Sequence, residues 1–459
     1  MKILTCTILA VGLVSSLAAA RTSPKPFTSV HVPEFRFRAF EDDAGGFYLV
    51  WIDGETDKTF TLRAQHIGPA EQSLWESPGL PVASHVSSFE DWHGLADGQG
   101  GLTLFWDEQD GVHAQRYRPD GSRKRSENSI LMSTSTAIQP AAVPDALGGT
   151  LVVWRQKLSG GRSVVMAQRL DEQGNPVWPS GGLRVSLRAS SQTNPHVVYD
   201  NMSGMVVAWR DEANSASELR VQRIDFTGNR LWGLEGLTIT APLGTSEFPE
   251  IAAVGTGEVA IAWTAPVAQT SQILLQKAGP GPTLQWGAGV YASAQPSTSN
   301  RWNPVLRGDE AGGAWIAWED FSNQVNYQIH LNHLDASGVS LWPSGPPNNG
   351  RASPTTGGDF AIAPAAGDQG KMAMAGDGKD SVWLAWIDNR LANIGLYVQE
   401  VDGSGRLLQG NAGHLVADQL TKPSRPQLVS LGQGKAVVAW ANRPQKGQWT
   451  LSWSAVGPP

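Results

Sequence analysis

The chain has 459 residues, a formal net charge of −7, 19 tryptophans, 51 glycines, 29 prolines and a single cysteine, Cys6. One cysteine excludes a disulfide scaffold, a thiolate zinc site and, once an N-terminal leader is removed, a cysteine nucleophile. The acidic balance, with no basic run longer than Arg123-Lys124-Arg125, gives no electrostatic reason to bind nucleic acid or anionic lipid.

Residues 1–20, MKILTCTILAVGLVSSLAAA, read as a secretory signal peptide: Lys2 is the basic start, 8–17 the apolar core and 18–20 the small-residue cleavage site. The apolar run is shorter than the roughly 20 residues that cross a bilayer. Cys6 precedes it, unlike a lipoprotein signal. The mature chain, 21–459, is therefore expected to be exported, whether secreted, periplasmic or attached at the cell surface, with no membrane span.

From residue 21 onward the sequence repeats. A Trp closes an apolar run at 51, 106, 154, 209, 263, 318, 386 and 440, spaced by 55, 48, 55, 54, 55, 68 and 54 residues. Before it stands a turn of the type Asp-x-x-Gly-Gly, as in DDAGGFYLVWID, DGQGGLTLFWDE, DALGGTLVVWRQ and DEAGGAWIAWED. About a dozen residues later comes a second phrase, AQRLDEQGNPVW at 167–178 or VQRIDFTGNRLW at 221–232, in which an Asp-x-x-Gly turn joins two further strands. Each unit thus holds four short strands joined by tight, Gly-containing turns.

The run GGAWIAWED, 312–320, does not alternate apolar with polar, so both faces of its strand are buried. Sandwich strands alternate; propeller blades packed face to face around an axis do not need to. Four-stranded units of about 50 residues match the period of a blade. The fold predicted is all-β, a single closed β-propeller with eight blades, or seven if the weakest unit, around Trp263, is not one. The last unit has strands at 425–430, 436–440 and 449–456 but no fourth. The extended stretch 27–34 is predicted to supply it, closing the ring and removing its edge. The 68-residue spacing places a longer loop at about 344–370, read as a lid, a partner-binding loop or a disordered insertion.

These units resemble the tandem repeats of secreted bacterial β-propeller proteins carrying Gly-Gly-x4-Trp-x-Asp followed by Gln-Arg-x-Asp-x-x-Gly. The resemblance implies an exported binding module and no shared catalytic set. The sixth unit departs from the phrase, with Asn332-His333 where Gln-Arg is usual.

The two Asp-Gly turns of each unit lie on one face of a propeller, and the loops after each Trp and before each first strand lie on the other, at the mouth of the channel. Acidic residues recur there, among them Asp53, Asp107, Glu108, Asp211, Glu319, Asp320 and Asp388. Their recurrence favours a structural role, each capping its own loop through backbone N–H groups. The entries that break the repeat are FEDWHG, with Glu90, Asp91, Trp92 and His93, and SNRWNP, with Arg301 and Trp302. Aromatic rings beside carboxylates and amides suit a sugar. The candidate ligand-binding set is Glu90, Asp91, Trp92, His93, Arg301, Trp302, Glu319 and Asp320. No catalytic residue is assigned, because adjacent carboxylates such as Glu90 and Asp91 point apart on a strand and do not make a hydrolase pair. No cofactor is expected. No metal is expected either, since His330 and His333 fall on opposite sides of a strand. The expectation is an exported, non-enzymatic propeller that recognises a protein or glycan at the channel mouth; the alternative is a secreted polysaccharide hydrolase or lyase using carboxylates of the same face.

Overall fold

The computed structural model describes residues 24–31, 36–54, 60–86, 92–108, 111–124, 130–134, 137–213, 216–243, 249–293, 299–321, 324–342, 358–364, 367–376, 380–390, 393–446 and 448–457. The proposed leader, Glu90, Asp91 and most of the long loop at 344–370 lie outside them.

The described residues form eight four-stranded antiparallel sheets and no helix. Blades 1 to 7 span 37–86, 92–134, 137–184, 191–243, 250–291, 301–361 and 369–420, their strands following one another outward from the centre. Blade 8 takes its three inner strands from Gln427–Gly432, Lys435–Gln445 and Gln448–Val456, and its outer strand from Lys25–His31. The latch is antiparallel, with Lys25 opposite Trp453 and His31 opposite Gln448. The innermost strand of each blade touches that of the next, and Gln427–Gly432 returns to Phe37–Glu41. The molecule is an eight-bladed β-propeller, and the unit around Trp263 is a complete blade.

Second strands are apolar on both sides because each side has a blade against it. In Ala314–Asp320 every residue but Glu319 is buried. Ala314, Ile316 and Trp318 pack with Ala260, Ala262 and Leu275 of blade 5. Trp315 and Ala317 pack with Val382, Leu384 and Trp386 of blade 7. The wedge widens away from the axis, and the core Trp fills it. Its ring reaches the start of the outer strand, where only glycine fits. Gly182 has φ 75°, and a Cβ there would stand 2.4 Å from the Ala167 carbonyl oxygen and 2.7 Å from the Trp154 ring.

The repeated polar residues hold the blade together. Asp145 accepts the N–H groups of Leu147 and Gly149 through Oδ1 and the Arg169 Nε–H, at 2.9 Å, through Oδ2. The basic residue of the third strand and the Asp of the first turn pair in the same way in Arg116–Asp97, Arg223–Asp200 and, with histidine, His66–Asp42 and His333–Asp309. Blade 5 lacks that Asp, and Lys277 turns to Glu258 at 2.7 Å. Gln168 accepts the Trp178 N–H and donates to the Trp178 and Pro179 carbonyls, clamping the outer turn.

That outer Trp also ties one blade to the next. The indole N–H groups of Trp75, Trp178, Trp286 and Trp342 donate to carbonyls in the following blade's outer hairpin: Pro119, Phe226, Ala336 and Gly403. In blade 7 the place is taken by Gln409, whose N–H is held by Gln399 as those of Trp75, Trp178 and Trp286 are held by Gln65, Gln168 and Gln276. Blade 8 has no such hairpin to offer a carbonyl, since its outer strand comes from the other end of the chain. A cleft of about 590 Å³, lined by Gln409, His414, Trp440 and Thr450, opens at that seam.

Candidate channel-mouth site

Several of the recurrent acids after the core Trp brace its indole. Two residues past the Trp, on the same side of the strand, Asp211, Asp320 and Asp388 accept the indole N–H of Trp209, Trp318 and Trp386 at 3.2, 3.0 and 3.1 Å. Glu108 does the same for Trp106. Blade 5 has Ala265 there, and the buried Trp263 indole nitrogen has no acceptor. A side chain that shares a strand face with the ring lies within reach of its N–H; Asp388 also takes a loop amide, that of Arg390.

Repeat symmetry breaks at the innermost strands. Opposite the residue before each core Trp, the eight blades carry Arg38, His93, Ala141, His196, Glu250, Val305, Ala373 and Gln427. Four neighbouring or near-neighbouring blades bear an ionisable group at this level, and the opposite arc is apolar or neutral. Four inner strands, in blades 3, 4, 6 and 7, also share a bulge just above it. Its second residue, Gln139, Asn194, Asn303 or Lys371, has φ between 51° and 56°. Left-handed non-glycine residues cost about 1–3 kcal/mol each and persist only where the surroundings hold them; such bulges re-aim a side chain.

The sequence-selected residues divide accordingly. Arg301 is buried and donates to Asp320 Oδ2 at 2.8 Å and to Gln272 Oε1 at 3.0 Å, so Arg301 and Asp320 brace the Trp318 indole. Trp92 is buried against Phe40, with Arg38 over its ring. His93 is half-buried and meets Arg38. Trp302 is 37% exposed, and no other tryptophan among the described residues is classed as exposed. Glu319 lies opposite Trp302 across the strand pair. It accepts the Asn303 amide at 2.8 Å and the Lys371 backbone N–H of blade 7 at 3.0 Å. Trp302, Asn303, Glu319 and Lys371 therefore form one cluster at the channel mouth. Asn303 stands in the SNRWNP entry but was left out of the candidate set, and Lys371 was missed in the sequence; the signal for the bulge was a polar residue before proline in Gln139-Pro140, Asn194-Pro195 and Asn303-Pro304.

Burial dominates the electrostatics. It raises the Glu319 carboxyl above the ordinary glutamate range, against the hydrogen bonds from Asn303 and Lys371 and the charge of Arg425. It raises Glu250 likewise, against Arg307 and Arg425, and lowers Lys371. His93 is pushed down to about 3 and His196 to about 4, by burial first and by Arg38 second. Arg38 and His196 belong to blades three apart, as do Glu250 and Arg425. Side chains so separated around the ring influence one another by reaching toward its axis. Farther down, a cavity of about 430 Å³ is lined by Phe40, Leu95, Leu428 and Val429 together with Arg307, Glu41 and Asp43. Among the described residues no group of three or more His, Cys, Asp or Glu could hold a metal ion, and no helix is long and apolar enough to cross a membrane.

No protein-family model matches the chain, and no curated protein does. Among solved structures it is similar to a protein of unknown function from Dyadobacter fermentans, at 9% identity over 95% of this chain and 100% of that one, with a TM-score of 0.40. It is similar to an ulvan lyase solved with a GlcA–Rha3S ligand, at 9% identity over 96% of each chain, TM-score 0.47. It is also similar to the polysaccharide lyase Uly1, at 10% identity over 93% of this chain and 90% of that one, TM-score 0.46. Likeness at this level assigns no activity to this chain.

Proposed function

We propose that the protein is an exported propeller that binds a glycan at its channel-mouth face without turning it over. The observation that carries this reading is the exposed ring of Trp302 beside Asn303, Glu319 and Lys371. A flat apolar face next to fixed donors and acceptors is what a pyranose ring requires. Glycan-array screening of the exported chain tests it: selective binding that Trp302→Ala removes is the expected result, and a blank array overturns it. Export itself is checked by N-terminal sequencing of material outside the cytoplasm, with Arg21 as the expected first residue.

A hydrolase or lyase is favoured by one feature, the carboxyl of Glu319 raised by burial, since burial raises a carboxyl in the direction that general acid catalysis requires. The two readings part at Glu319→Gln. Loss of polysaccharide cleavage with the fold intact would establish the enzyme; weakened binding with no cleavage by either form supports the module.

A further inference from the structure

Across the channel from Trp302, three ionisable side chains converge from three blades. Arg38 Nη1 lies 3.1 Å from His93 Nδ1. A guanidinium only donates, so Nδ1 is the acceptor and the ring proton sits on Nε2, bonded to the Ala142 carbonyl of blade 3. His196 stands at the same level on the inner strand of blade 4, near enough to Arg38 to feel its charge. Among the described residues, the charged groups acting on His93 are Arg38 and His196, and the one acting on His196 is Arg38. Glu250, the carboxylate on the neighbouring blade, is set against Arg307 and Arg425 instead. A chain with net charge −7 thus gathers a guanidinium and two imidazoles on one arc of its channel.

We propose that this arc is a proton-linked anion site for the carboxylate or sulfate group of an acidic glycan. The inference rests on the channel-mouth reading above and narrows its ligand class. An anion placed between Arg38 and the two rings offsets the Arg38 repulsion that adds to burial in keeping them neutral. A ring that then takes up a proton presents N–H donors on both sides, so binding and protonation reinforce each other. Trp302 on the same face supplies the apolar platform that a free inorganic anion would not use.

Isothermal titration of the full chain tests this, with galacturonic acid trisaccharide, its methyl ester and sodium sulfate, each at pH 5 and pH 8. The sugar carboxylates stay ionised at both values, so a change in affinity reports the protein. Uptake of one proton predicts binding of the acid roughly tenfold tighter at pH 5 than at pH 8, with the ester and sulfate weaker than the acid at pH 5. His196→Gln flattens the pH dependence, whereas Trp302→Ala weakens binding at both pH values. Equal affinity for acid and ester, or the same affinity at both pH values in the unmodified chain, overturns the anion site and leaves the glycan reading standing. Sulfate binding as tightly as the acid overturns the glycan source of the anion. No binding by any of the three overturns both.

Discussion

Glu319 and Asp320 are neighbours on one strand, both acidic and both at the channel-mouth end of blade 6, and they do different work. Asp320 points into the wedge, where it accepts the Trp318 indole and the Arg301 guanidinium and is buried. Glu319 points to the mouth, where Asn303 and the Lys371 backbone hold it beside an exposed Trp302. The wedge side recurs around the ring, in Asp211 and Asp388 as in Asp320. The mouth side does not. Strand alternation alone separates them: a residue two past the core Trp shares its face, and a residue one past it does not. Recurrence marks what every blade needs to stand; departure from it marks what one blade does for the whole molecule.

The largest effect expected from breaking this contrast is at Asp320. Asp320→Ala leaves Arg301 buried without its carboxylate and should cost about 3–5 kcal/mol, read by urea denaturation. Gly182→Ala comes next. It drives a Cβ against the Ala167 carbonyl and the Trp154 ring from a left-handed position, and the strain alone is about 1–3 kcal/mol in the same measurement.

Acidity sharpens the comparison from the mouth side. His93 and His196 have folded pKa values below the unfolded value of 6.5. The unfolded chain therefore binds more protons than the folded one between those values. Their contribution to stability is complete above about pH 6.5 and is lost as pH falls toward 4 and then 3. Glu250 and Glu319, raised by burial, act with the opposite sign: their contribution is present below the ordinary glutamate pKa and fades as pH rises through the folded value. Melting temperature recorded from pH 7 to pH 4 should fall less steeply in His196→Gln than in the unmodified chain. A parallel decline in the two would show that His196 does not sense the channel.

The smallest effect is at Glu319. Glu319→Gln keeps the shape and removes the charge that burial opposes, so stability should change by less than about 1 kcal/mol, while ligand binding changes measurably. A loss as large as that of Asp320→Ala would place Glu319 in the frame of the blade and not in the site.

The architecture was legible because a repeat states the same constraint eight times. The Trp spacing, the Asp-x-x-Gly-Gly turns and the doubly apolar strands each require a neighbour on both sides, and the missing fourth strand of the last unit required the other end of the chain, found at Lys25–His31. Burial and turn chemistry are local demands, so they are written locally. The site was legible only in part. Trp302 and His93 stood out as departures from the repeat and Glu319 only as one of its recurrent acids, but Trp92 stood out equally and is buried, and Arg301 and Asp320 proved to be partners of the core. Nothing in the order of residues says which of two adjacent side chains meets the axis. That was decided by the closing of the ring, which brings Arg38, His93 and His196 toward one another from blades more than 40 residues apart in the chain. It was also decided by four bulges whose left-handed Gln139, Asn194, Asn303 and Lys371 depend on the strands around them. Sequence determined the blade, because a blade is held by contacts within one repeat and its neighbours; only the tertiary structure determined the mouth, because its charges act across a channel that exists once all eight blades have met.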